Sequence, residues 1–190
     1  MGADYDKLLL KANTDKITEE LKRSGVTELN PYDKKEKIDR LNDIIDNDLY
    51  PAAYSAYTAE STEQYIPYYD RVFDALDSLN EILETNRFLT GDTITEPDVK
   101  LFVFLSAFDL AYYFVFRLNK KRIKDYDNLW NYAKDLYLID AFKNATDFKK
   151  IKEDIFLRLT PNPDNILPDG PCTGIWDEKN NRKEKFGVTG

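Results

Sequence analysis

Apolar residues recur at helical spacing along most of this chain. Ile38, Leu41, Ile44 and Ile45 fall at i, i+3, i+6 and i+7, an amphipathic stripe that predicts a helix after Asn30-Pro31. Asn30 can cap that helix, and Pro31 suits its first position. Pro51 is expected to end or kink it, because proline has no amide to donate and its ring crowds the preceding turn. Tyr65, Tyr69, Val72, Phe73, Leu76, Leu79 and Leu83 then keep a three-to-four spacing for about five turns. Ser61 with Gln64, or Thr62 with Glu63, can open this second helix. Pro67 lies in its first turns, where it costs least. Upstream, Leu8, Leu9, Ile17 and Leu21 predict one or two helices before Gly25.

The sharpest local signal is Ile94-Thr95-Glu96-Pro97-Asp98-Val99. Thr95 can cap the amide of Asp98 while Asp98 reaches back to the amide of Thr95, a capping box with Ile94 and Val99 as the flanking staple. Pro97 is tolerated because first-turn amides have no helical partner. The helix it opens, about 98–118, is apolar on every face and should be buried on most sides. It does not read as a membrane span: Asp109 is central, Lys100 and Arg117 bound it, and a span needs ~20 apolar residues. Two shorter helices are predicted near 127–138 and 146–158. From Thr160 onward Pro161, Pro163, Pro168 and Pro171 gather with Gly170, Gly174, Gly187 and Gly190, so this stretch is expected to be irregular. The expectation is an all-α bundle of five to seven helices, with an N-terminal helical or linker segment (1–28), a helical domain (29–159) and a Pro/Gly-rich extension (160–190).

Composition narrows the chemistry. The 190 residues carry 27 basic and 35 acidic side chains, a net charge of −8, which disfavours nucleic acid and anionic membranes as partners. Histidine is absent, so Ser-His-Asp triads, Cys-His dyads and histidine metal sites are excluded within these residues. The single cysteine, Cys172, excludes an internal disulfide and a Cys-rich zinc site. No metal site and no catalytic residue is expected. The start, MGADYDKLLLKANTDK, has no basic region before an apolar run, and the cytoplasm is the expected compartment. KKEK (34–37) and NKKR (119–122) read as solvated faces, and NRKEK (181–185) as a mobile tail.

Several segments, in order, carry a family resemblance. They are LNPYDKKEKIDRLNDII (29–45), DLYPAAYSAYTAESTEQY (48–65), RFLTGDTITEPDVKLF (87–102), AFDLAYYFVF (107–116), DYDNLWNYAKDLY (125–137) and NPDNILPDGP (162–171). Together the chain resembles the helical C-terminal domain of glutathione transferases, most closely that of the glutathionyl-hydroquinone reductases, the Xi class. The Thr95–Asp98 box alone says only transferase-like; the remaining segments point to the reductase class.

The resemblance implies a glutathione transferase C-terminal-like fold. It also implies a chemistry divided between two domains. In that family a thioredoxin-like domain carries a cysteine that attacks the sulfur of a glutathionyl-hydroquinone and forms a mixed disulfide, which a second glutathione resolves. The helical domain supplies tyrosines that line the quinone pocket. Two such positions carry over, Tyr54 and Tyr112, as substrate-pocket candidates; Thr95 and Asp98 carry over as structural caps. Two others depart. Ala107 stands where the family has arginine, and Ile155 where it has a third pocket tyrosine.

Residues 1–30 are too few for a thioredoxin fold and hold no cysteine. The first expectation is therefore a domain without catalysis of its own, acting in self-association as a homodimer or in binding a protein partner. The alternative is the helical domain of a glutathione-dependent reductase whose thioredoxin domain is absent from this chain. A third reading is a binder of aromatic or quinone-like small molecules. Glutathione enters only through the resemblance, and no bound cofactor is expected. Asp109 is expected to be a structural carboxylate, capping another helix or paired with a cation such as Arg87, and Cys172 a bystander thiol.

Overall fold

A computed structural model of the chain describes residues 2–159 and 165–188, with side chains from Leu10 onward. The expectations for 160–164 and 189–190, and for the side chains of Leu8 and Leu9, lie outside the described residues. Among the described residues there is no strand, and the all-α expectation holds.

Among the described residues seven helical rods and one isolated α-helical turn follow one another, besides short 3-10 turns. They are α1 (Gly2–Arg23), α2 (35–58), α3 (Thr62–Thr85), α4 (96–115), α5 (Asp127–Tyr137), α6 (Asp140–Ala145), α7 (148–159) and the turn α8 (Arg182–Lys185). The first is one helix, closed by Gly25 in the left-handed region at φ +98°. The short α6 was not predicted; six residues are too few to show a helical period.

Pro51 does not end α2. The stretch Ile44–Leu49 winds as a π-helix and the rod continues through Tyr50–Thr58. In a regular helix the proline ring would meet the carbonyl of Asn47, which lies inside this wider winding, so the helix absorbs the proline instead of breaking. Asn30 does not cap it either: Pro31 occupies the N-cap of the leading 3-10 turn, without a side-chain bond. Ser61 does cap α3. Its hydroxyl accepts from the Gln64 amide at 3.3 Å, and the Gln64 side chain accepts from the Glu60 amide at 3.1 Å.

The centre of the molecule is α4, where every residue from Pro97 through Phe108 except Lys100 is buried. It packs against α1, α2, α5 and α7. Its apolar circumference is thus explained by neighbours around it and not by lipid, and no described helix is long and apolar enough to cross a membrane. Arg117, at φ +60°, stops it and donates to the carbonyls of Ala56 and Tyr57 at the end of α2, at 3.1 and 2.9 Å.

The C-terminal stretch is irregular but held down by buried cations. Lys152 Nζ donates to the carbonyls of Pro168 and Asp169 at 2.6 and 2.7 Å, and Lys134 Nζ to that of Lys179 at 3.1 Å. Arg182 is 0% exposed, so the stretch 181–185 is not the free tail its charge suggests. Its guanidinium donates to Leu83 O at 2.7 Å, to Arg87 O at 2.8 Å and to Asn86 O. These are carbonyls at and just beyond the end of α3, which lack partners within the helix and favour a cation.

Candidate functional site

The cap at the head of α4 forms as the spacing predicts. Thr95 and Asp98 make a capping box. Asp98 Oδ2 accepts from the Thr95 amide and hydroxyl, both at 2.9 Å, while Oδ1 accepts from the Leu89 amide at 2.9 Å and the Tyr132 hydroxyl at 2.8 Å. Asp98 therefore does more than cap: it ties the loop before α4 and the middle of α5 to one carboxylate. Burial pushes that carboxyl up from its ordinary range, opposed by all four donors.

Asp109 is structural as expected, but its partners are amides and not Arg87. Its Oδ1 accepts from Ile123 N at 2.7 Å and its Oδ2 from Lys124 N at 3.1 Å, capping the 3-10 turn Ile123–Asp125. Arg87 instead pairs with the buried Asp135 through two bonds, at 2.8 and 3.2 Å.

The two candidate tyrosines occupy neighbouring but separate spaces. Tyr54, on α2, lines an open cleft of about 600 Å³ with Leu10, Tyr50, Pro51, Ser55 and Lys100. Tyr112, on the π-helical part of α4, is only 3% exposed. It lines a void of about 20 Å³, and Leu10 of α1 belongs to both walls. The tyrosines are joined by rings. Tyr54 meets Tyr57 edge-on at 6.0 Å, Tyr57 stacks on Phe116 at 4.9 Å, and Phe116 stacks on Tyr112 at 4.6 Å.

The void beside Tyr112 gathers more than one position singled out in the sequence. Ala107 and Ile155 both line it, from α4 and α7. Two neighbouring positions of α4 thus meet one of α7 at one place, although Ala107 and Ile155 lack the polar group that the resemblance implies. Tyr112 and Ile155 both sit in π-helical windings, which re-aim side chains relative to a regular helix.

The cleft's charges are internally settled. Lys100 lies 2.7 Å from Asp46 and 3.6 Å from Glu96, and Lys11 lies 2.6 Å from Asp15. Both lysines of the lining are paired, so the cleft offers apolar rings and hydroxyls more than a seat for a carboxylate. Tyr50 adds a wall: its hydroxyl donates to the Lys100 carbonyl at 3.0 Å and its ring meets Phe104 edge-on at 5.0 Å. Sequence reading passed over Tyr50 and Tyr57. Their spacing of −4 and +3 from Tyr54 puts all three on one helical face, and that was the available signal. No group of His, Cys, Asp or Glu suited to hold a metal occurs among the described residues.

Comparison with known proteins agrees with this geometry. Residues 37–135 match the model for the glutathione S-transferase C-terminal domain. The glutathionyl-hydroquinone reductase YqjG of Escherichia coli K12 is 36% identical over 152 residues, covering 80% of this chain and 46% of that protein. Its glutathione-bound structure superposes with a TM-score of 0.76 at 34% identity, over 82% of this chain and 50% of the other. A glutathione transferase from Gordonia bronchialis superposes at 0.78 with 36% identity, over 83% and 49%. The chain spans about half the length of the relatives it matches. Among those relatives are Xi-class enzymes and glutathionyl-hydroquinone reductases. By sequence and by fold, then, this chain belongs to the glutathione S-transferase family, as a C-terminal helical domain.

Proposed function

We propose that this chain is the substrate-side helical half of a glutathione-dependent reductase acting on glutathionyl-hydroquinones, and that the Tyr54 cleft receives the aromatic ring. The observation that carries this is the convergence of Tyr112, Ala107 and Ile155 on one void next to that cleft. The names of the relatives support the same substrate class. In this reading the domain covers 29–159 and works in the cytoplasm.

The chemistry divides as follows. A thiolate outside this chain attacks the substrate sulfur, and the S–C bond to the aromatic ring breaks. Its electron pair stays on the ring carbon, which takes a proton to give the hydroquinone. The resulting mixed disulfide is resolved by a second glutathione. The part of this chain is to hold the ring and to supply hydroxyls that bond its oxygens or pass the proton. With Ala107 and Ile155 apolar, that work falls to tyrosine hydroxyls.

The test is titration of the chain with menadione, a naphthoquinone, followed by calorimetry. Binding is expected, and the double variant Tyr54→Phe, Tyr112→Phe should weaken it by about tenfold, the worth of a lost hydrogen bond in a desolvated site. Unchanged affinity in the double variant overturns the assignment. The non-catalytic alternative, self-association, is favoured by the exposure of Ile66, Tyr68 and Phe114. A clean monomer in light scattering at high concentration removes it.

A further inference from the structure

A second cavity, sharing no residue with the lining of the Tyr54 cleft, opens where the C-terminal stretch crosses α4 and α5. Its volume is about 570 Å³, within the ~300–1,000 Å³ of small-molecule sites. The walls are aromatic and aliphatic: Trp130, Trp176, Phe114, Phe156, Leu110 and Ile175. Trp130 and Trp176 meet edge-on at 5.0 Å, so one ring's edge and the other's face form a preformed corner. Trp176 is itself wedged against Phe102, Tyr137 and Phe148, at 6.1, 5.6 and 5.3 Å, and is 5% exposed.

The charged groups of this lining are two cations and one anion. Arg122 and Lys124 belong to the former, Asp109 to the latter. Asp109 already spends both oxygens on the Ile123 and Lys124 amides. Arg122 lies with its guanidinium 5.3 Å over the Tyr113 ring. The lining thus carries a net positive charge on a chain of net −8.

We propose that this cavity is a binding site for an aromatic carboxylate, its ring system against Trp130 and Trp176 and its anionic group toward Arg122 and Lys124. The site is independent of the Tyr54 cleft and of the reductase reading. An apolar pocket with cations to one side selects an amphipathic anion over either a neutral aromatic or a bare anion.

The molecule supplies its own reporters. Its two tryptophans both line this cavity, and its single cysteine, Cys172, lines it too and is exposed. Titration with 2-naphthoate should change tryptophan emission saturably, with a matching calorimetric isotherm. It should also slow alkylation of Cys172 by N-ethylmaleimide at least fivefold. The neutral isostere 2-naphthalenemethanol should bind at least tenfold more weakly than the acid. The double variant Arg122→Gln, Lys124→Gln should bring the acid down to the level of the alcohol. Tyr54→Phe, Tyr112→Phe should leave naphthoate binding unchanged.

Three results overturn the proposal. One is a flat titration of the unaltered protein. Another is binding with no preference for the acid and no protection of Cys172. The third is loss of naphthoate binding in the tyrosine variant, which would place the ligand in the other cleft. Protection of Cys172 is read on the unaltered chain, so the proposal stays testable even if the charge variant fails to fold.

Discussion

The hydroxyl of Tyr132 donates to Oδ1 of Asp98 at 2.8 Å, joining residues 34 apart in sequence, and both are wholly buried. Asp98 thereby serves two structures at once. Its other oxygen closes the capping box at the head of α4, while this one fixes α5 against it. Tyr132 is the reciprocal case: burial and the adjacent carboxylate push its phenol well above the ordinary tyrosine range.

Replacing either residue should therefore cost stability in proportion to the donors left behind. Tyr132→Phe removes one donor and leaves three, a loss of roughly 1.5–3 kcal/mol for a bond to a charged group. Asp98→Ala leaves the amides of Leu89 and Thr95 and the Tyr132 hydroxyl buried without that acceptor, and should cost more, on the order of 3–5 kcal/mol. Urea unfolding followed by circular dichroism orders the two variants; equal losses would mean that the carboxylate acts only through Tyr132.

Much of this was legible beforehand, and the reason lies in period and capping. The stripe from Tyr65 to Leu83 and the box at Thr95–Asp98 are local patterns, and the helices they predict form within a few residues of the expected bounds. What the sequence hid is non-local. Nothing near Arg182 says that its partners are the carbonyls at and after the end of α3, about a hundred positions away, so a basic run was read as a tail. That the helix would run on through Pro51 was hidden for a related reason, because a π-helical winding leaves no mark in the hydrophobic period. At the site, Tyr54 and Tyr112 were named through resemblance alone. Their separation into a cleft and a small hollow depends on where Leu10 packs, which no local pattern states.

The C-terminal anchor makes its own prediction. Arg182→Ala should remove three carbonyl contacts and the cation at the end of α3, lowering stability by about 3 kcal/mol. Arg182→Lys should recover only part of this, since an ammonium cannot span the three acceptors as a planar fork does. Hydrogen exchange localises the effect. The last turn of α3 should open with Arg182→Ala while α1 stays protected. Uniform loosening of all helices would argue against a local cap.

Asp109 offers a test with a worked sign. Burial raises its carboxyl pKa in the fold, opposed by the two amides and by Arg122. A raised folded pKa means that the protonated form binds the native state better. The group's contribution is then greatest below the unfolded value and is lost as pH rises through the folded one. Asp109→Asn lacks this titration. The stability difference between the unaltered protein and the variant should therefore widen in favour of the unaltered protein as pH falls from 7 through the carboxylate range. A difference that narrows on acidification would show that the ionised form is the stabilising one.

The tyrosines set the alkaline limit. Tyr57, Tyr65, Tyr69, Tyr126, Tyr132 and Tyr137 all have pKa values raised above 10.0, burial being the largest cause in each. For an acid whose folded pKa exceeds its unfolded one, stability is fully present below the unfolded value and is lost as pH rises toward the folded value. Above about pH 10 the unfolded chain releases phenolic protons that these side chains retain in the fold, so each step in pH weakens the native state. Urea midpoints measured from pH 8 to 11 should hold level and then fall steeply. Tyrosinate absorbance from the buried set should rise together with loss of helical circular dichroism. If that absorbance rose fully while the helices persisted, the phenols would be ionising in place, and the raised values would be wrong.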